Sequence, residues 1–189
     1  MRSFSLLLML FVVPGWCLAG QNLSLPWYAS GYIDRQSLSL ENVKVRPVVA
    51  SASAGVWWFE GIGSEIELGV GMSDDSANNL EFDVSSQISL NLRFESDPIN
   101  GVAAYALFGL TRSAFESRFT SVADSAQNRD FRGFRGVFGL VFPLSPRWAV
   151  DAAFSRHEYD DGVGMNGFRI GVRHLMNEVS PRKRWGWMR

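Results

Sequence analysis

Between Leu80 and Glu95 apolar and polar side chains alternate for sixteen residues. Leu80, Phe82, Val84, Ser86, Ile88, Leu90, Leu92 and Phe94 share one parity. Glu81, Asp83, Ser85, Gln87, Ser89, Asn91, Arg93 and Glu95 share the other. A period of two belongs to a strand, whose successive side chains point to opposite faces. Strands of soluble proteins run about 5–6 residues, whereas a tilted strand needs about 9–11 to cross a bilayer. The length of this segment points to a membrane-crossing sheet.

The pattern recurs. Ile66, Leu68, Val70 and Met72 oppose Glu65, Glu67, Gly69 and Gly71. Trp148, Val150, Ala152 and Phe154 oppose Asp151 and Ser155, and Phe168, Ile170 and Val172 oppose Arg169, Gly171 and Arg173. Phe134, Phe138, Leu140 and Phe142 share a parity that excludes Arg135 and Gly139. Segments 27–37, 45–59 and 101–115 are strand-like but carry small residues on both faces, so their parity stays open. Eight strands are expected.

Composition removes the competing classes. Hydrophobic residues at 47% and charged residues at 20% exclude disorder. With 18 Lys+Arg against 19 Asp+Glu, the net charge of -1 gives no basic field for nucleic acid. Beyond the first twenty residues no apolar run approaches the roughly 18 residues of a membrane helix. A single cysteine, Cys17, excludes an intramolecular disulfide or a multi-cysteine zinc site.

Residues 1–19 read as a secretory leader: Arg2, an apolar stretch from Phe4 to Val13, then Cys17-Leu18-Ala19 as a small-residue cleavage site before Gly20. A lipoprotein anchor at Cys17 is the weaker reading, because bulky Trp16 precedes it.

The links alternate in length. Residues 60–63, 96–100 and 143–146 are tight turns, whereas 38–44, 74–79, 116–130 and 160–166 are longer and polar. Up-and-down membrane barrels alternate short periplasmic turns with longer outer loops in this way. Trp57, Trp58, Phe59, Phe94, Phe142 and Trp148 lie near the short turns. Phe82, Phe115, Phe119, Phe131, Tyr159 and Phe168 lie near the long links. The two groups are expected to form paired aromatic girdles.

A soluble eight-stranded barrel hides its apolar face and a membrane barrel displays it, so alternation alone does not choose. The polar parity carries Glu65, Glu67, Asp83 and Asp151 with Arg93, Arg135, Arg169 and Arg173, while the only lysines are Lys44 and Lys183. Arginine forks suit enclosed carboxylates, and arginine facing mid-bilayer lipid costs roughly 2–4 kcal/mol. The polar parity is therefore expected inside, with no wide pore. Arg132 points outward beside the longest link.

From about Trp27 to Met176 the chain resembles the OmpA-like/OmpX-like outer-membrane β-barrel family. The resemblance rests on Val56 to Glu65 around the first tight turn, Phe142-Pro143-Leu144-Ser145-Pro146-Arg147-Trp148 at the third, and Ile170 to Met176 as closing strand. It implies an all-β, eight-stranded antiparallel up-and-down transmembrane β-barrel over residues 20–176, located in the outer membrane of a Gram-negative-type cell. It also implies insertion by the barrel-insertion machinery. That machinery reads a terminal aromatic in the family, a place taken here by Met176. The tail 177–189, with Arg182, Lys183, Arg184, Trp185 and Trp187, is expected to be either disordered or laid on anionic headgroups. It is too short for a peptidoglycan-binding domain.

Chemistry is sparse. His157, next to Glu158, Asp160 and Asp161, is expected as a hydrated residue at the outer rim, and His174 lies at the opposite end. His157 with Asp74 and Asp75 imitates a rim protease, and Ser155 with His157 a lipid deacylase, but Ser155 and His157 fall on the inner parity. No catalytic, cofactor or metal residue is nominated. The acidic pairs Asp74-Asp75 and Asp160-Asp161 read as solvated, with loose Ca²⁺ binding as the alternative. Arg118, Arg129 and Arg132 are candidates for lipopolysaccharide phosphates. The expected protein is a monomeric, non-enzymatic outer-membrane barrel with a structural or surface-interaction role and at most minor solute passage. Its partners are membrane lipids. A periplasmic lipocalin-like binder and a barrel enzyme are the alternatives.

Overall fold

A computed structural model describes residues 25–40, 43–73, 75–77, 80–119, 127–160 and 163–176. The expected leader 1–19, the tail 177–189, Asp74 and Asp161 lie outside them. The described residues form ten strands: β1 (Trp27–Leu40), β2 (Val43–Val45), β3 (Val48–Phe59), β4 (Ile62–Ser73), β5 (Asp75–Ala77), β6 (Leu80–Glu95), β7 (Ala103–Phe119), β8 (Gln127–Pro143), β9 (Trp148–Tyr159) and β10 (Gly164–Leu175). The short β2 and β5 continue the lines of β3 and β4, so the wall has eight staves. Each stave pairs antiparallel with its neighbour in the chain, and β10 returns to β1 from Tyr28↔Leu175 to Leu38↔Met165. Closure leaves no free edge.

The three short turns and both strand termini share one end, where the Met176 amide donates to the Trp27 carbonyl at 3.0 Å. Gly61 (φ 71°), Asn100 (φ 52°) and Gly101 (φ 79°) supply the left-handed backbone that these tight reversals need. At the other end most of what reads as polar link in the sequence is continued strand. β1 runs on to Leu40, β7 to Phe119, and β8 begins at Gln127. The 17 residues of β7 and of β8 exceed a membrane crossing and carry the wall beyond the outer leaflet.

The alternation in 80–95 is interrupted once. A bulge between Val84 and Ser86 sets two residues against one on β7. Below it Ile88 and Phe94 face out while Gln87, Ser89, Asn91 and Arg93 are buried; above it Val84 turns inward and is fully buried. The expected single apolar face therefore holds only for the lower part of β6.

Outside, Ile33, Ile66, Leu68, Val70, Met72, Ile88, Phe94, Phe108, Phe134, Phe138, Phe142, Phe154, Phe168, Ile170 and Val172 form an apolar belt. On β8 this belt runs from Phe134 to Phe142. At about 3.3 Å per residue and a tilt near 40° its Cα span is roughly 20 Å, and the outward rings at both ends bring it close to the height of about 25 Å of a barrel's lipid-facing band. The three staves of open parity are resolved. Tyr28, Tyr32, Asp34, Val49, Ser51, Tyr105 and Leu107 point inward, while Ala29, Ile33, Ala52, Ala54 and Phe108 point outward.

Candidate functional site: the lumen and the outer rim

The expected polar lumen is present but layered. At the outer end Leu38, Val45, Val49, Val84, Phe115, Phe131, Tyr159 and Met165 close into an apolar plug. Phe115 and Phe131 meet edge to face with centroids 5.3 Å apart, and both contact the Tyr159 ring. This corrects the outer girdle. Phe115, Phe131 and Tyr159 fill the lumen instead of facing headgroups, and Phe168 remains outward. The side chains of Phe82 and Phe119 lie outside the described set. Burying those rings against one another offers more than exposing them beside polar strand ends.

Beneath the plug the Gln36 amide donates to the Asp34 carboxylate and to Gln87 Oε1, each at 3.3 Å. Gln87 donates to Ser113 (3.0 Å), which is 3.0 Å from the Tyr159 hydroxyl. Ser155 donates to Asp34 at 3.1 Å. His157 belongs to this layer: it is fully buried, stacked beside Tyr159, with Nδ1 3.5 Å from Gln87. The hydrated rim histidine expected from the sequence is thus corrected. Its strand continues upward with the wall, and residues from β6 and β9 cover it.

Two ion-pair layers follow. Glu67 receives Arg135 at 3.0 Å and Arg169 at 2.9 Å, and the Arg169 guanidinium lies 3.5 Å from the Tyr32 ring centroid. Lower down, Arg93 contacts Glu65 (3.2 Å), Glu95 (3.0 Å) and Asp151 (3.5 Å), while Arg173 holds Glu95 at 2.6 Å. Tyr28 donates to Glu65 at 2.7 Å and Tyr32 to Asp151 at 3.1 Å. Tyr28, Trp57 and Leu175 floor the lumen. Trp57, expected in the inner girdle, points inward; Phe59, Phe94, Phe142 and Trp148 do face lipid, joined by Trp27. A further apolar group, Ala103, Leu107, Val137, Val141, Ala149 and Ala153, lines the β7–β9 wall.

The remaining candidates do not converge. His174 faces outward at the inner end, its ring 4.3 Å from that of Trp148. It stands at the opposite end of the β9–β10 hairpin from His157. Asp75 lies on β5, and Asp160 is exposed at the turn after β9. No metal-capable cluster occurs among the described residues. Arg129 and Arg132 are exposed on β8, and Arg118 sits on β7 in register with Glu81.

At the outer edge of the belt the outward face of each stave turns polar. The first polar residue is Arg35 on β1, Arg46 before β3, Ser73 on β4 and Ser86 on β6. It is Arg112 on β7, Arg132 on β8, Arg156 on β9 and Asn166 on β10. Sequence reasoning had singled out Arg132 alone among these arginines.

A closed barrel with a lipid-height apolar belt and a charged, filled interior is an integral membrane barrel. The chain belongs to the outer membrane protein β-barrel domain family, which matches residues 4–173, and its place is the outer membrane. A search of curated proteins finds no match. Solved structures of similar fold include three small barrels. Neisserial surface protein A is 14% identical, covering 79% of this chain and 97% of that one, with a TM-score of 0.63. Ail of Yersinia pestis, in complex with the heparin analogue sucrose octasulfate, is 14% identical, covering 82% and 100%, with a TM-score of 0.59. The N-terminal barrel of Pseudomonas aeruginosa OprF is 15% identical, covering 76% and 96%, with a TM-score of 0.51.

Proposed function

We propose that this outer-membrane barrel is non-enzymatic and closed to solutes, and that it serves the envelope as a structural and surface-interaction element. The observation that carries this reading is the continuous filling of the lumen. An apolar plug, a glutamine–serine layer, two arginine–carboxylate layers and an aromatic floor follow one another along the axis. An ion entering would have to part buried charge pairs whose separation costs several kcal/mol.

The barrel's own side chains also argue against catalysis. Ser155 donates its hydroxyl hydrogen bond to Asp34 and lies inside the wall together with His157, so neither meets lipid or peptide. His174 is engaged with Trp148 at the other end.

The test is single-channel recording of the purified chain in planar bilayers. Closed baselines with rare, small events are expected. A steady conductance of porin size would overturn the reading.

A further inference from the structure

We propose that His174 and Met176 form a site for a soft monovalent metal cation of the Cu⁺ class at the periplasmic boundary of the barrel. The site lies on the outer face of the wall, apart from the filled lumen. The two residues stand two apart at the end of the last stave, which sends both side chains to the same face. There the donors meet, with His174 Nδ1 3.2 Å from Met176 Sδ. The backbone beneath them is held on both sides. The Leu175 amide donates to the Arg147 carbonyl at 2.8 Å, and the Met176 amide to the Trp27 carbonyl at 3.0 Å.

The donor set selects the ion. Ca²⁺ and Mg²⁺ prefer oxygen ligands, whereas a thioether beside an imidazole suits a soft ion such as Cu⁺. The outward neighbours Trp27, Ala29, Trp148, Val150 and Val172 bring no carboxylate, so a divalent ion would find no compensating charge. A monovalent ion costs less to dehydrate in the girdle. Clusters of His, Cys, Asp and Glu that could hold a metal are absent among the described residues. This pair is of another kind, because its second donor is a methionine sulfur.

Little movement is needed to seat the ion. Metal bonds of about 2.0 Å to nitrogen and about 2.3 Å to sulfur, at trigonal or tetrahedral angles, set two donors roughly 3.5–3.7 Å apart. The flexible Met176 side chain therefore has to give by about half an ångström. The Trp148 ring, 4.3 Å from the imidazole and inclined at 50°, packs against His174 and steadies its orientation. Its π-face adds attraction for a cation held beside it. Arg147, next to Trp148, is exposed, so its repulsion is screened. The remaining described methionines offer no equivalent. Met72 is exposed on β4, and Met165, although in register with His157, is sealed with it inside the lumen.

The full chain carrying Cys17→Ser, which removes its only thiol, is purified in detergent and titrated with Ag⁺ in chloride-free buffer. Native mass spectrometry reads the bound ion. Loss of a supporting partner costs a metal site roughly 10–100-fold in affinity, and loss of a ligand should cost no less, so His174→Ala and Met176→Leu are each expected to weaken binding at least about ten-fold. Met72→Leu is expected to bind as the parent chain, and excess Zn²⁺ to leave Ag⁺ in place. Should the His174 and Met176 variants fail to give the compact unheated gel band of a closed barrel, the parent chain carries the test through NMR of its methionine methyl groups. Ag⁺ is then expected to shift the Met176 signal and to leave those of Met72 and Met165 unmoved. Undiminished binding by folded variants, a shift at another methionine instead of Met176, or displacement of Ag⁺ by Zn²⁺ overturns the site.

Discussion

Glu67 carries the middle of the lumen, because its two oxygens are divided between Arg135 and Arg169. Replacing it by glutamine keeps the shape and strands two buried guanidinium groups. Glu67→Gln is therefore expected to destabilise the barrel by about 3–5 kcal/mol, read as a lower urea midpoint in detergent with unchanged slope. Packing is as exacting at Gly139, where an added Cβ would fall 2.4 Å from the Ala153 methyl and 2.6 Å from the Ala152 carbonyl. Gly139→Ala is expected to lower the temperature at which the compact gel band is lost. Parity alone identified seven of the buried lumen charges: Glu65, Glu67, Asp151, Arg93, Arg135, Arg169 and Arg173. Asp34 escaped because small residues on both faces of its segment concealed which side was inner. The burial of His157 escaped for a different reason. The groups that cover it, Gln87 and Tyr159 among them, are brought to it by the closed wall.

Among the elements, the strands were legible nearly to the residue, since a period of two persists wherever one side meets lipid and the other a filled interior. Their outer ends were not, because polar residues there resemble loop while remaining in the ladder, as in 116–119 and 127–130. The misplaced aromatics had a usable signal: Phe131 shares the parity of Arg135, and Tyr159 that of Asp151 and Ser155. No such signal betrays Val84, whose inward turn depends on the extra residue of the β6 bulge. Val84→Asp would place an unpaired carboxylate inside the apolar plug, a cost that an outward Val84 would not incur. The expected result is a barrel that still inserts but melts earlier and digests faster at its outer end under externally added protease.

For the whole molecule, the plug and the ion-pair layers are successive barriers. In a Cys17→Ser background, a cysteine at Ser113, which is fully buried beneath the plug, should resist aqueous thiol reagents. Adding Phe115→Ala and Phe131→Ala should speed its labelling at least about ten-fold by opening apolar packing. Conductance should stay closed, because Arg93, Glu65, Glu95 and Asp151 still occlude the axis below. The seam of the barrel joins its first long strand to its last, with Tyr28 lying against Leu175. The cylinder therefore cannot shut until the final stave has been delivered. Until then the nascent chain presents two raw edges and an unpaired set of arginines and acids, a state calling for an escort between export and insertion.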